Sequence, residues 1–239
     1  MRAERELAVL RGAALNFELQ PPDRYTPERG WHADALSQPL PAEPPGEPAP
    51  GCAWEVARRL IEAYRVADPA LVRATWDPAA PLLGREMLLE LRLYRLVSVH
   101  VGVRVTQVWD ETRVRDGRRE RVFGYEYATL TGHVEMGRMD YEVCKRLDDG
   151  AVDFRLHAHS RPAGDGPPWV RLGFRLFGRR EQLRFYGRCC DRIARLTARE
   201  LGLPGTPPPP AVLLRSADAP GTAELLERLL PKRTRGGAD

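Results

Sequence analysis

The sequence predicts an α+β fold in which a curved antiparallel sheet grips a long C-terminal helix. Two patterns lead to this prediction. Apolar residues alternate with period two between residues 86 and 160, and they recur at helical spacing from residue 169 onward. Strands joined by short turns pair antiparallel, because a parallel crossover needs about a dozen residues. The apolar face of such a sheet needs a cover, and the C-terminal helix is the only large element available.

The strand pattern is clearest in the middle of the chain. Five valines occupy alternate positions in residues 97–105, and β-branched residues in one register specify a half-buried strand. Asp-Gly pairs at 116–117 and 149–150 are typical of hairpin turns, and a third turn is expected within residues 132–137. We therefore expect about five antiparallel strands here.

The long helix is predicted within residues 169–201. Its apolar positions are Trp169, Leu172, Leu176, Leu183, Tyr186, Cys190, Ile193, Leu196 and Leu201. Three glycines in the segment weaken the helical pattern, so its first half is expected to be irregular or kinked. Gly202 followed by Pro204 indicates where the helix stops.

Shorter elements are predicted before the sheet. Residues 13–19 have the composition of a strand, and residues 53–66 place apolar side chains at helical spacing. Asp68 is a typical N-cap and Pro69 suits the first helical position, so a second short helix is expected to run to about Trp76.

Proline-rich segments divide the chain. Residues 38–51 hold six prolines and are predicted to form a loop. A second such segment at 204–210 ends the folded part. The expected organisation is an N-terminal extension (1–12), one domain (13–202) and a mostly disordered tail (203–239).

Composition excludes several classes of protein. The chain has 239 residues, of which 43% are hydrophobic and 29% charged, as in an ordinary globular protein. Its apolar runs are shorter than the ~18 residues of a membrane helix, and the N-terminus lacks a signal-peptide pattern, so a cytoplasmic protein is expected. The cysteines have no metal-like spacing, so reduced thiols and no metal or cofactor are expected. They are Cys52, Cys144, Cys189 and Cys190.

Residues 123–163 resemble a domain-of-unknown-function family, uncharacterised protein family 0548. The matching residues are Tyr127, Thr129, Leu130, Gly132, His133, Glu135, Gly137, Ser160, Arg161, Pro162 and Ala163. The chain departs from the commoner pattern at Arg138 and Met139, where many members carry two glutamates, and at Thr131 and Val134, where prolines are frequent.

The resemblance implies a helix-grip fold similar to that of the START and birch-pollen-allergen superfamily. That superfamily binds apolar small molecules, and some members are enzymes. The expected function is therefore binding of an apolar or amphipathic small molecule in a cavity between sheet and helix. The expected ligand-binding residues are Tyr125, Tyr127, His133, Glu135 and Arg161. Gly102, Gly124 and Ala128 are expected either to line the cavity or to bend the sheet.

Two histidine groups have both a functional and a structural interpretation. His133 is a candidate general acid or base oriented by Glu135, which would make the protein an enzyme, or both belong to a polar turn. His157 and His159 lie on one strand face with Arg155. A cation beside a metal is unfavourable, so a solvated strand face is the better interpretation of that pair.

A third possibility is an interaction module. The long helix carries an arginine stripe, and residues 222–230 of the tail predict a short amphipathic helix. The stripe consists of Arg184, Arg188, Arg192, Arg195 and Arg199, and the apolar face of the tail helix of Leu225, Leu226, Leu229 and Leu230. Nucleic acid is not the expected partner, because the sequence has no nucleic-acid-binding signature and no aromatic residues interleave with the stripe.

Overall fold

The computed structural model describes residues 7–93, 97–163, 179–203 and 208–217. Within them lies one antiparallel sheet with the strand order β2-β3-β4-β5-β6-β7-β1-β8. The strands are β1 (His32–Leu40), β2 (Val72–Thr75), β3 (Glu86–Leu93), β4 (Val97–Arg115), β5 (Arg118–Thr129), β6 (Glu135–Arg146), β7 (Val152–Pro162) and β8 (Val212–Ala217), and the helices are α1 (Ala53–Glu62) and α2 (Arg179–Glu200). The predicted fold class is confirmed.

Both helices cover one face of the sheet, here called the inner face. Val101, Val103 and Val105 are at most 2% exposed and pack there, as their alternation predicts. A bulge between Val105 and Gln107 then shifts the register of β4, which brings Val108 to the same face. The main core therefore lies between the inner face, α1 and α2.

The opposite, outer face carries the small residues that were expected to line a cavity. A Cβ at Gly102 would lie 2.5 Å from Leu10, and one at Gly124 would lie 2.6 Å from the Trp109 indole nitrogen. Glycine at these positions therefore admits large side chains against the outer face. Ala128 is buried but is not part of the inner-face core. The cavity-lining expectation for all three residues was wrong.

The N-terminal part differs from the prediction at two places. Residues 13–19 do not form a strand, and only Leu15 makes a bridge, to Leu130. The strand is instead β1, whose last three residues belong to the predicted proline-rich loop. Pro39 has no backbone N–H to donate, but β8 pairs with β1 only up to Ser37. Beyond Ser37 this edge of β1 has no strand partner in the described residues, so proline at position 39 costs no hydrogen bond to β8.

The second predicted helix is also absent from the described residues. Asp68 does cap a turn, since its carboxylate accepts a hydrogen bond from the Ala70 N–H at 3.0 Å. The chain then enters β2, which pairs with β3 from Val72 to Thr75. The turn motif was recognised correctly, but strand pairing replaces the helix that was expected to follow it.

Helix ends and turns follow local rules. Asp116 and Gly117 have φ of 51° and 75°, as a two-residue hairpin turn of the primed type requires. After α2, Leu203 and Gly202 donate backbone hydrogen bonds to Ala198 (3.0 Å) and Arg199 (3.1 Å), which is a Schellman motif. The predicted stop at Gly202 is confirmed. The predicted irregular start, residues 169–178, lies outside the described residues.

Tyr64 ends α1 in a way that local propensity disfavours. Arg65 and Tyr64 donate to Leu60 (2.8 Å) and Ile61 (2.9 Å), again as a Schellman motif. Tyr64 therefore takes the left-handed position, with φ of 52°, where glycine is usual. Its ring is buried against Tyr127 and Tyr141.

Two features lie outside the predicted domain, one in the tail and one in the N-terminal extension. Residues 212–217 of the tail form β8, an edge strand with Val212, Leu213 and Leu214 about half exposed. Leu10, in the predicted extension, packs against Leu88 and Leu130 on the outer face. The expected domain limits stay a prediction, and the expected tail helix lies outside the described residues.

A buried ion pair holds the proline-rich loop and α1 on the sheet. Lys145 Nζ lies 2.7 Å from Glu43 Oε2, and both side chains are at most 2% exposed. The other carboxylate oxygen of Glu43 accepts the Trp54 N–H at 2.6 Å, in the first turn of α1. One carboxylate thus satisfies both the buried ammonium and an unpaired donor of the helix.

We expect Lys145→Met to lower the free energy of unfolding by about 3–5 kcal/mol, because it leaves the Glu43 carboxylate buried without its counter-ion. The control is Arg118→Met, which removes an exposed ion pair with Asp149 (3.1 Å) and should cost at most ~1 kcal/mol. Urea denaturation measures both. Equal losses would show that the buried pair is no more important than a surface pair.

Candidate functional site

A cavity of about 130 Å³ lies between α2 and the inner face of the sheet. Its lining residues come from the α1–β2 connection, from β2, β3, β5, β6 and β7, from the β5–β6 turn, and from the first two turns of α2. They are Tyr64, Leu71, Val72, Leu89, Leu91, Arg92, Tyr127, Thr129, His133, Glu135, Gly137, Arg138, Met139, His159, Ser160, Glu181, Gln182, Phe185 and Tyr186.

The apolar side chains of this lining come mainly from β2, β3 and the helix. Leucines of β3, Val72 of β2 and Phe185 of α2 form one wall, and Met139 of β6 adds to it. The polar side chains gather at the first turns of α2, where Glu135, Ser160 and Gln182 hydrogen-bond one another. The cavity therefore has an apolar part and a polar end.

Tyr127 lines the cavity as expected, but Tyr125 does not. The Tyr127 hydroxyl lies 3.5 Å from that of Tyr64 and 3.3 Å from the sulfur of Met139. Tyr125 lies two residues earlier on the same strand face, beneath α1, and its hydroxyl donates to the Ile61 carbonyl at 3.0 Å. Tyr125 supports the helix rather than the cavity.

His133 belongs to the turn between β5 and β6 and faces the cavity. It is 9% exposed, and its Nδ1 accepts the Glu135 backbone N–H at 3.0 Å. An Nδ1 that accepts a hydrogen bond leaves the proton of a neutral ring on Nε2. Burial lowers the pKa of His133 to about 4, so the ring is neutral at pH 7.

Glu135 is the first residue of β6, and its carboxyl points to α2. Its Oε1 accepts a hydrogen bond from Gln182 Nε2, whose amide also donates to Ser160 Oγ at 3.1 Å. Burial raises the pKa of Glu135 to about 8, although the Gln182 hydrogen bond and the charge of Arg179 act in the opposite direction. The carboxyl therefore keeps its proton at neutral pH.

These contacts change the expected relation between His133 and Glu135. The imidazole is oriented by the backbone of Glu135 and not by its side chain. With a lowered pKa, His133 is a weak base at pH 7, whereas the pKa of Glu135 lies close to neutrality. Both residues of the predicted pair line the cavity, and the expected orientation of the imidazole by the Glu135 side chain is replaced by a contact with the Glu135 backbone.

Asn16, in the segment before β1, helps to hold the polar end of the cavity in place. Asn16 Nδ2 donates to the Glu135 carbonyl at 2.7 Å, and its Oδ1 accepts from Thr129 Oγ1 at 2.6 Å. The same threonine oxygen accepts the Gly137 N–H at 2.9 Å. These contacts fix the start of β6, and with it the position of Glu135.

Arg161 lies on the outer face and not at the cavity. Its guanidinium stacks over the Trp31 ring at 4.6 Å, and its Nη2 lies 3.8 Å from the Met136 sulfur. The even-numbered residues of β7 face the core over residues 152–158, so an odd-numbered side chain beyond them projects to the other side. Its expected role in ligand binding has no geometric support at this cavity.

The histidines of β7 share the outer face with Arg155, as their spacing predicts, but the face is not the solvated one expected, since Arg155 is only 7% exposed. Arg155 makes a bidentate ion pair with Glu120 at 2.7 Å for both bonds. The centroid of the His159 ring lies 5.2 Å from that of the Tyr25 ring. His159 also belongs to the cavity lining, next to Ser160. Across the described ranges, no group of three or more His, Cys, Asp or Glu residues is arranged to hold a metal ion.

Gln182 is a residue of the candidate site that no sequence motif indicated. It lies four residues before Tyr186, a predicted member of the apolar helix face, so helical spacing does place it on the covered side. Its polarity made it resemble a solvated position. Ser160 was identified only as a matching family residue, and the position of Tyr64 in the cavity lining is not recognisable without the packed sheet.

The arginine stripe is largely neutralised by nearby acids. Ion pairs join Arg184 to Glu181 (3.5 Å), Arg188 to Asp68 (3.7 Å) and Arg195 to Asp191 (4.0 Å). Arg192 donates instead to the Arg65 carbonyl at 2.8 Å. Two of these ion pairs lie within α2, and the contacts of Arg188 and Arg192 join the helix to residues after α1. Because these side chains already have partners, the case for a binding surface is weaker.

Comparison with known protein families shows to which family this chain belongs. A family described as a domain of unknown function (DUF1990) matches residues 17–192. The chain belongs to the DUF1990 family. The matched residues include His133, Glu135, Ser160 and Gln182 of the cavity, whereas Asn16 immediately precedes the match. The expected family relationship is confirmed.

Solved structures similar to this DUF1990 chain share little sequence with it. Ara h 8.0201 is 11% identical with a TM-score of 0.36, and covers 69% of this chain and 98% of its own. A hypothetical protein from Helicobacter pylori, jhp0584, is 8% identical with a TM-score of 0.42, covering 74% and 95%. Human STARD10 is 12% identical with a TM-score of 0.37, covering 79% and 77%. No curated protein matches the chain.

Neither described helix of this DUF1990 chain has the length and apolar character needed to cross a membrane.

We expect the stability of the wild type relative to Glu135→Gln to decrease as pH rises from 4.5 to 8. The unfolded carboxyl ionises near pH 4.5, whereas the folded one keeps its proton to about pH 8, so unfolding releases a proton within this window. The contribution is fully present below pH 4.5 and is lost by about pH 8. Because Glu135 is only partly buried, we expect a total change of ~2–4 kcal/mol.

Urea denaturation of both proteins between pH 4 and 9 measures this difference. His133 is common to both and its titration cancels in the comparison. A difference in stability that does not vary with pH would contradict a raised pKa for Glu135.

Proposed function

We propose that this chain binds a small amphipathic molecule in the cavity between α2 and the inner face of the sheet. The observation that carries the proposal is the division of one cavity into an apolar wall and a hydrogen-bonding end. A core position without a function would be filled by side chains, since protein interiors are close-packed. In this protein an open cavity lies beside polar groups, and such groups are unfavourable in a core that contains neither water nor ligand.

The cavity volume limits the size of the bound group. At about 130 Å³ it is close to the ~150 Å³ engineered apolar cavity that binds benzene. One six-membered ring or a short branched chain fits, whereas a long acyl chain does not fit within the described walls. The apolar wall supplies most of the binding free energy, because burial of apolar surface contributes about 25 cal/mol per Å².

The polar end orients the ligand. Glu135, Gln182 and His133 come from three separate elements, and their hydrogen bonds to one another and to the backbone fix their positions. Fixed polar groups at one end of an apolar cavity select the orientation of a ligand as well as its polarity.

Proton transfer is the second candidate function, favoured by the Glu135 carboxyl with its pKa of about 8 inside the cavity. An acid with a pKa near the working pH suits general acid–base catalysis. The test uses a ligand that copurifies with the protein. Loss of that ligand on incubation with the wild type but not with Glu135→Gln would indicate turnover, and equal persistence in both would leave binding alone.

The binding proposal predicts that toluene stabilises the protein and that a cavity-filling substitution abolishes this effect. Val72→Phe places a ring in the cavity wall. The matched control is Val114→Phe, because Val114 is 69% exposed near the β4–β5 hairpin. At a toluene concentration of 100 times Kd, the stabilisation should be about 2.7 kcal/mol in the wild type and control.

Thermal unfolding with and without toluene gives this result directly. Native mass spectrometry of protein purified from its own host then identifies the natural occupant. Toluene stabilisation that survives Val72→Phe, or that is absent from the wild type, would contradict binding at this cavity.

A further inference from the structure

We propose that the polar end of the cavity recognises an uncharged ligand through its carbonyl oxygen, which accepts a hydrogen bond from the Glu135 carboxyl group. The proposal rests on the binding function above and adds the chemical class of the ligand. It is based on the different contacts of the two oxygens of Glu135 and on the ion pairs made by the described arginines near the cavity.

The two oxygens of Glu135 differ in their contacts. Oε1 accepts the hydrogen bond from Gln182 Nε2. Within the described part of the chain, Oε2 makes no hydrogen bond, and Glu135 lines the cavity. A carboxylic acid whose one oxygen already accepts a bond holds its proton on the other, so the free O–H belongs to Oε2. The cavity thus contains a donor that needs an acceptor.

His133 supplies a second donor at the same end. Its Nδ1 is occupied by the Glu135 backbone N–H, and the proton of the neutral ring is therefore on Nε2. A carbonyl oxygen has two lone pairs and is able to accept from both groups. An alkane offers no acceptor, and a site with unpaired buried donors discriminates against a ligand that leaves them unpaired.

The charged groups around the cavity disfavour an anionic ligand. Of the described lining arginines, Arg92 pairs with Glu90 at 3.0 Å, and Arg138 pairs with Glu126 and with Asp140 at 3.2 Å. Glu181 adds a carboxylate to the lining. A carboxylate ligand would meet no unpaired cation among the described residues and would be desolvated without compensation.

Several titratable groups face the Glu135 carboxyl. On α2 these are Arg179, which is held by Asp34, together with Glu181 and Tyr186; on β5 it is Tyr127, and in the β5–β6 turn it is His133. Both tyrosines have pKa values raised by burial, and His133 is neutral above about pH 4. Among the groups here whose pKa burial shifts, Glu135 is therefore the one that ionises between pH 6 and 9.

The test is a double-mutant cycle between protein and ligand. Cyclohexanone and methylenecyclohexane have the same shape, and they differ in a carbonyl oxygen that replaces a methylene group. Both are titrated by NMR into full-length wild type and Glu135→Met at pH 6.5. The expected result is that the affinity ratio of ketone to alkene is about tenfold higher in the wild type, the usual size of one hydrogen bond. Comparing ratios cancels the different hydration of the two ligands.

Two further measurements separate the explanations. Glu135→Gln keeps a donor, so it should retain part of the ketone preference, and benzoate should bind to none of the three proteins. Raising the pH from 6.5 to 9 should reduce ketone affinity in the wild type at least fivefold, because the ionised carboxylate no longer donates. Alkene binding should change little with pH, and Glu135→Gln should show no such pH dependence for either ligand.

The outcomes distinguish this inference from the binding proposal. If the wild type binds neither cyclohexanone nor methylenecyclohexane, the binding function itself fails. If both bind and the ratio is the same in wild type and Glu135→Met, the cavity binds ligands but Glu135 does not recognise a carbonyl. In that case the Glu135 carboxyl donates its proton within the protein, to the side-chain oxygen of Gln182 with the amide group in the flipped orientation. Preferred binding of benzoate would also overturn the inference.

Discussion

The ion pair between Arg179 and Asp34 determines where the cavity is and what lines it. Its two hydrogen bonds, of 2.5 and 2.7 Å, join the first residue of α2 to the third residue of β1, and both side chains are almost fully buried. Ser216 of β8 donates to the same carboxylate at 2.9 Å, so three elements meet there. Bidentate arginine–carboxylate geometry fixes orientation as well as distance, and a helix anchored this way has little freedom to slide along the sheet.

The position of Arg179 on the sheet then determines which polar side chain of α2 reaches the cavity. Gln182 follows Arg179 by three residues and lies on the same side of α2, which brings it over the ends of β6 and β7. There it contacts Glu135 and Ser160. From the other direction, Asn16 and Thr129 hold the start of β6 in place. The polar end of the cavity is thus formed by hydrogen bonds between separate segments: Gln182 lies 47 residues from Glu135 and 22 from Ser160, and Asn16 lies 119 residues from Glu135.

Local patterns made the central strands, the hairpin turns and the end of α2 predictable. Alternating valines and Asp-Gly pairs specify register within a few residues, without help from the rest of the chain. β1 was not predictable in this way, because Asp34 and Gln38 occupy inward positions where the pattern requires apolar residues. Their partners, Arg179 and the Pro209 carbonyl, lie 145 and 171 residues away. The motif likewise located His133 and Glu135, but protonation depends on burial beneath α2, which no short stretch of sequence encodes.

Tyr64 illustrates how this architecture constrains evolution of the chain. A tyrosine in the left-handed conformation costs about 1 kcal/mol of backbone strain that glycine would not incur. Burial of the ring outweighs this cost, because truncating a buried aromatic side chain typically destabilises a protein by about 3–5 kcal/mol. The same ring forms part of the cavity wall and contacts Tyr127. Replacement of Tyr64 among relatives would therefore change the core, the end of α1 and the shape of the cavity together.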